Sequence, residues 1–173
     1  MYKDIKSEEE LDAAIEDWVS QINAEDYILY ETHKFLMILS QPYYNQFEKW
    51  LKVGLALHNI KLKHQFHDQK SRMFLSWMKF SSQWKDFDWD SDIAKHWQTW
   101  SNFTYKENTD GLSEKSIMWW AQECDKEKYK EIKDNTVDYY IYKSQSYGKT
   151  AHDIAMVAYQ LYKDKFNCRK SRR

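Results

Sequence analysis

The chain has 173 residues, with 26 Lys and Arg against 27 Asp and Glu, enough to form one domain that hides roughly 70% of its unfolded surface. Three glycines, one proline and two cysteines leave no material for a glycine-rich phosphate loop, a disulfide framework or many tight strand turns. The composition therefore favours an all-α fold, and no stretch approaches the roughly 20 apolar residues that span a bilayer.

The elements follow in order. Ser7 and Glu10 form a capping box ahead of Leu11, Ala14, Ile15, Trp18, Val19 and Ile22 at helical spacing. A second, less clearly patterned helix runs through Tyr27, Tyr30, Phe35 and Leu39. Pro42 opens the next, where Phe47, Trp50, Leu51, Gly54, Leu55 and His58 share one face. Residues 60–70 lose the period and read as a polar loop, with Asp68 or Ser71 able to cap a fourth helix that aligns Phe74, Trp77, Met78 and Ser81. Asp86, Asp88, Asp90 and Asp92 precede a fifth helix with Ile93, Trp97 and Trp100, where they complement its positive end. After the Asp110–Gly111 turn, Ser113 caps a sixth helix through Ile117, Trp120, Ala121 and Cys124. A seventh carries Tyr129, Ile132, Val137, Tyr140 and Ile141. Residues 144–149 read as a linker before a last helix with Ile154, Val157, Ala158 and Leu161. The expected architecture is a single-domain bundle of about seven or eight helices over residues 1–143, with 144–173 a linker and the start of a following segment.

Gly54 stands out, because an interior glycine costs about 1 kcal/mol relative to alanine. Close approach of a second helix, the one carrying Trp77, compensates in one reading; a direct ligand contact is the other. The Trp119–Trp120 pair cannot sit on one narrow stripe, so one of the two belongs at an edge or interface.

Reactive constellations are missing. There is no GxxxxGK[ST], GxSxG, HExxH or CxxC. Asp86–Asp88–Asp90 begins like a calcium loop, but Ser91 stands where glycine is needed and Trp97 where glutamate is needed. His58, His64 and His67 beside Asp68 lack the convergence of a zinc site and suit a weakly basic loop better. No catalytic residue, metal site or cofactor is expected in this chain.

Charge is uneven. Residues 1–31 hold ten acids against Lys3 and Lys6, whereas the C-terminal stretch holds Arg169, Lys170, Arg172 and Arg173. Lys61, Lys63, Lys70, Arg72 and Lys79, interleaved with Phe66 and Phe74, could contact phosphates while rings stack on bases. An ordinary solvated loop and a frayed tail explain the same residues. The many aromatics (nine Trp, thirteen Tyr, eight Phe) serve equally as core filling.

Three ordered segments carry a resemblance. They are YYNQFEKWLKVGLALHN with RMFLSWMKFSSQ, then FDWDSDIAKHWQTWSNF, then GLSEKSIMWWAQECDKEKYKEI. Trp50, Val53, Gly54, Ala56, Leu57, Asn59, Leu75, Trp77, Phe80, Ser81, Trp97, Trp100, Gly111, Leu112, Ser113, Trp120 and Ala121 supply the pattern. It resembles the type 2 primase C-terminal module of poxvirus and giant-virus primase-helicases, over residues 35–168, with its core at 35–132. The 60–71 loop is longer and more basic than the pattern.

The resemblance implies a non-catalytic helical module between an archaeo-eukaryotic-type primase and a superfamily-3 helicase, the chain being a fragment or a truncated copy. ATP and Mg²⁺ would belong to those neighbouring domains. The partners implied are single-stranded or primer-template DNA and the primase and helicase domains of the same polypeptide, with no membrane. The implied location is intracellular: host cytoplasm, viral factory or nucleus. Lys61, Lys63, Lys70, Arg72, Lys79, Arg169 and Lys170 are the candidate DNA contacts. The alternative is a connector or oligomerisation module that docks primase onto helicase without touching DNA.

Overall fold

One helix of the first unit is buried on nearly every side, and four others pack against it. The computed structural model describes residues 5–63, 71–103, 111–145 and 151–162, with the side chains of 61–63 and 151–153 outside that description. In chain order the helices are α1 (Glu8–Ser20), α2 (Tyr27–Met37), α3 (Pro42–Asn45), α4 (Phe47–Lys63), α5 (Arg72–Ser81), α6 (Asp92–Ser101), α7 (Glu114–Cys124), α8 (Lys126–Gln145) and α9 (Ala151–Tyr162). There is no strand among the described residues, so the chain is an all-α, multi-helix protein.

Every residue of α5 except Lys79 is buried. A helix buried on nearly every side needs several neighbours, and α1, α2, α4 and α6 pack against it. α7 closes against α2 and α4, and α3 against α4. The chain divides into two compact units between Tyr129 and Lys130, a boundary inside α8. Within the second unit Ile132, Thr136 and Tyr140 are buried, while Ile154, Tyr159, Leu161 and Tyr162 on α9 are exposed.

Local signals set most helix ends. Ser7 Oγ accepts from the Glu10 amide at 3.3 Å, and the Glu10 carboxylate returns to the Lys6 amide at 2.6 Å. The reciprocal bond thus lands one residue before the usual position. Ser113 accepts from the Lys115 amide and donates its own N–H to Ser116 Oγ.

Three expectations are corrected. The helix opened by Pro42 breaks at Gln46, whose backbone is extended (φ −104°, ψ 118°), and restarts as α4 when Trp50 N–H donates to Gln46 O. α4 continues to Lys63 through residues read as loop, because Ile60 is buried (1% exposed) and extends the apolar face. Ser71 stands at the start of α5 with a left-handed backbone (φ 51°, ψ 42°) and no capping bond; Asp68 lies outside the described residues.

The core beneath α4 and α5 is aromatic. Trp50 stacks on Trp77 with centroids 4.5 Å apart, and Trp77 meets Trp100 at 5.6 Å and Phe103 at 5.7 Å. His58, read from the sequence as part of a histidine cluster, is buried edge-on against Trp100 and Phe103. Gly54 lies where the indole of Trp77 crosses α4. An added Cβ would sit 2.5 Å from Trp77 Cζ2, so packing is the reason for this glycine.

Candidate nucleic-acid interface

The motif residues turn out to be mostly structural. Leu57, Trp77, Phe80 and Trp100 are fully buried, Ser81 and Trp120 nearly so, and Trp50 and Trp97 are half-buried. Asn59 donates to the Leu112 carbonyl at 2.9 Å, pinning the end of α4 to the turn before α7. Gly111 adopts φ +63° with open space around it, so backbone conformation rather than crowding calls for glycine there. Trp119 is 60% exposed beside the buried Trp120, which assigns the pair to an edge and a core position.

The candidate cations separate. Arg72 is buried: its Nη1 lies 2.8 Å from Asp26 Oδ2, and its guanidinium faces the Trp18 ring at 5.9 Å. Lys79 reaches Glu8 at 2.7 Å and Asp12 at 2.6 Å, tying α5 to α1. Both are committed to intramolecular carboxylates, and Arg72 has almost no access to solvent. Lys61 and Lys63 occupy the last turn of α4, but their side chains lie outside the described residues, as do Lys70, Arg169 and Lys170 entirely. His64 and His67 lie outside as well. Among the described residues no group of His, Cys, Asp and Glu could hold a metal ion.

Two grooves flank the α3–α4 junction. The first, a cavity of about 280 Å³, is lined by Tyr43, Lys49, Lys52, Leu112 and Trp120. Tyr43 and Trp120 lie at 5.6 Å with tilted rings, and Lys49 Nζ sits 5.2 Å from the Tyr43 centroid. Lys49 and Lys52 are exposed, one helical turn apart. Burial pushes the Tyr43 hydroxyl above its ordinary range, with Cys124 and Glu123 adding to the effect. The phenol therefore stays neutral and can donate a hydrogen bond. Two ammonium groups beside a ring wall are a fitting arrangement for a phosphate and the base next to it.

The second groove, also about 280 Å³, is lined by Tyr44, Asn45, Phe47, Trp50, Ser81, Trp84 and His96. Trp50 Nε1 donates to Ser81 Oγ at 2.8 Å, and Ser81 Oγ donates to the Trp77 carbonyl at 2.7 Å. His96 Nδ1 is hydrogen-bonded to the Asp92 carbonyl, and burial holds its imidazole below the ordinary range despite that bond and the Asp92 charge. Sequence reasoning missed Lys49, Lys52 and this second wall. The signal available was the pair of lysines at i and i+3 behind the motif face of α4.

The described residues form a helical bundle with a lysine-flanked ring groove. Residues 32–121 match the family Primase C terminal 2 (PriCT-2). The chain belongs to this family and carries its primase-associated C-terminal module. No curated protein matches the chain. No helix among the described residues is long and apolar enough to cross a membrane.

Proposed function

We propose that this chain is a non-catalytic accessory module of a viral DNA-replication primase-helicase, and that it contacts template or primer DNA during primer synthesis and unwinding. The observation that carries the reading is the groove in which Lys49 and Lys52 flank the rings of Tyr43 and Trp120. Family membership supports the setting. In it, the metal-binding carboxylates and the ATP site belong to neighbouring domains, and the protein works in the host cytoplasm, a viral factory or the nucleus. Lys61, Lys63 and Lys70, at and beyond the end of α4, are further candidate phosphate contacts, as are Arg169 and Lys170.

A second reading, a connector that docks primase onto helicase, draws on the exposed rings of Phe47, Trp84 and Trp119. The two readings separate in one titration. Anisotropy of labelled single-stranded and primer-template DNA, taken at several salt concentrations, should show binding that weakens steeply with salt. Two lost phosphate contacts in Lys49→Ala/Lys52→Ala should lower the log–log slope by about 1.4 on single strands. A slope unchanged by that pair would remove the groove from the interface. No binding at low salt would leave the connector.

A further inference from the structure

The second groove differs from the first in sign of charge, and that decides what it can hold. Its lining includes the rings of Tyr44, Phe47, Trp50 and Trp84. Phe47 is 68% exposed and Trp84 40% exposed, so a large ring area is left open at this groove. The polar groups inside offer no cation: Ser81 is committed to Trp50 and the Trp77 carbonyl, and His96 is held neutral near pH 7 by burial.

The rim is acidic. Phe87 N–H donates to the Trp84 carbonyl at 3.1 Å, closing a turn with exposed Lys85 and Asp86 at its centre. The Phe87 ring then meets His96, a wall residue, at 5.6 Å, which keeps the following segment beside the groove. Asp86, Asp88 and Asp90 are all exposed there, with Lys85 in the turn and Lys95, bonded to Ser91 Oγ at 2.9 Å, acting on Asp88. Asp92 farther on is paired with Lys95. Ring faces carry negative potential, and three carboxylates reinforce it, so a phosphodiester is repelled and a cation is attracted. At about 280 Å³ the groove falls just short of the 300–1,000 Å³ typical of drug-sized ligands. Among cations, a planar guanidinium lies flat on aromatic walls better than a hydrated ammonium does.

We propose that this groove takes an arginine side chain from a basic segment of a partner protein, with the guanidinium against Phe47 and Trp84 and neighbouring basic residues along the Asp86–Asp90 turn. The inference does not depend on DNA binding at the Lys49–Lys52 groove, and either can fail alone.

The test uses the whole chain and three fluorescent probes: an alternating Gly–Arg peptide, the same peptide with citrulline in place of arginine, and oligo-dT. The arginine peptide should bind at least tenfold more tightly than its uncharged counterpart. Trp84→Ala, at an exposed position, should weaken it about 3- to 10-fold, while Trp84→Phe retains most of the affinity. Asp86→Asn/Asp90→Asn should weaken it and flatten its salt dependence, whereas Glu9→Gln/Glu16→Gln on α1 should not. Equal affinity for both peptides, or failure of the arginine peptide to bind, would overturn the proposal. So would indifference to Trp84→Ala, equal loss from both acidic pairs, or oligo-dT binding that depends on Trp84.

Discussion

Replacing Gly54 with alanine places a Cβ 2.5 Å from Trp77 Cζ2, 2.7 Å from Trp77 Cε2 and 3.1 Å from Phe103 Cε2. The indole cannot simply swing away, because Trp77 is fully buried with Trp50 stacked on it and Trp100, Phe103 and His96 around it. Overpacking a filled core costs about 1–3 kcal/mol, and a fixed ring met at these distances belongs at the upper end. Alanine returns about 1 kcal/mol of helix propensity, leaving a net loss of about 2 kcal/mol. For a chain of this size that lowers Tm by about 4–8 °C, measurable by thermal unfolding followed by circular dichroism. The clash itself is isolated by adding Trp77→Phe, which removes the outer indole ring without losing a hydrogen bond, since Trp77 Nε1 has no partner. The double variant should be more stable than the two single losses imply, by about 1–2 kcal/mol. An increase in Tm for Gly54→Ala alone would refute the reasoning.

Four further outcomes follow from the packing. The His33 imidazole, against Ser76 Oγ at 3.0 Å and edge-on to Trp18 at 5.7 Å, has its pKa lowered from 6.5 to about 4 by burial, with Lys79 and Lys34 adding and Asp12 opposing. The folded state binds the proton less readily, so this contribution is complete above pH 6.5 and is lost as pH falls toward 4. It amounts to about 3 kcal/mol; urea unfolding between pH 7 and 4.5 should show a slope that His33→Gln reduces, the remainder including His96, whose pKa burial also lowers. Arg72→Ala leaves the Asp26 carboxylate buried without its cation and should cost about 3–5 kcal/mol in denaturant unfolding, whereas removing both charges by Arg72→Met/Asp26→Asn costs less. Ser81→Ala strips the acceptor from Trp50 Nε1 and should cost about 1–2 kcal/mol, with a change in tryptophan emission. Lys79→Ala, removing a cation already engaged by Glu8 and Asp12, should leave DNA affinity within about twofold.

Much of the fold could be read from the sequence because helix signals are local. Ser7 and Ser113 mark starts through bonds within one turn and Pro42 through its fixed φ. The face read as Phe47, Trp50, Leu51, Gly54, Leu55 and His58 is only partly the buried one: Phe47 is exposed, Leu51 and Leu55 are half-buried, and Val53, Ala56, Leu57 and Ile60 are buried. Gly54 was legible at longer range because an interior glycine in a good helix needs a compensating neighbour, and Trp77 supplies it. The break at Gln46 was not legible, since nothing in Tyr44–Asn45–Gln46 forbids a continuous helix. The functional surface was harder. Arg72 and Lys79 count as basic residues in the sequence, but their value depends on Asp26, Glu8 and Asp12, which are distant along the chain and meet them only through packing against α5. Conversely, Lys49 and Lys52 gain their meaning from Tyr43 and Trp120, brought together by α3, α4 and α7.

The most direct measurement is photo-crosslinking of oligonucleotides carrying 5-bromodeoxyuridine to the intact chain, with the attached peptides identified by mass spectrometry. Attachment at Tyr43 or Trp120, reduced in Lys49→Ala/Lys52→Ala, is the predicted result. Attachment confined to Phe47 and Trp84, or none at concentrations where the partner domains bind, would contradict it.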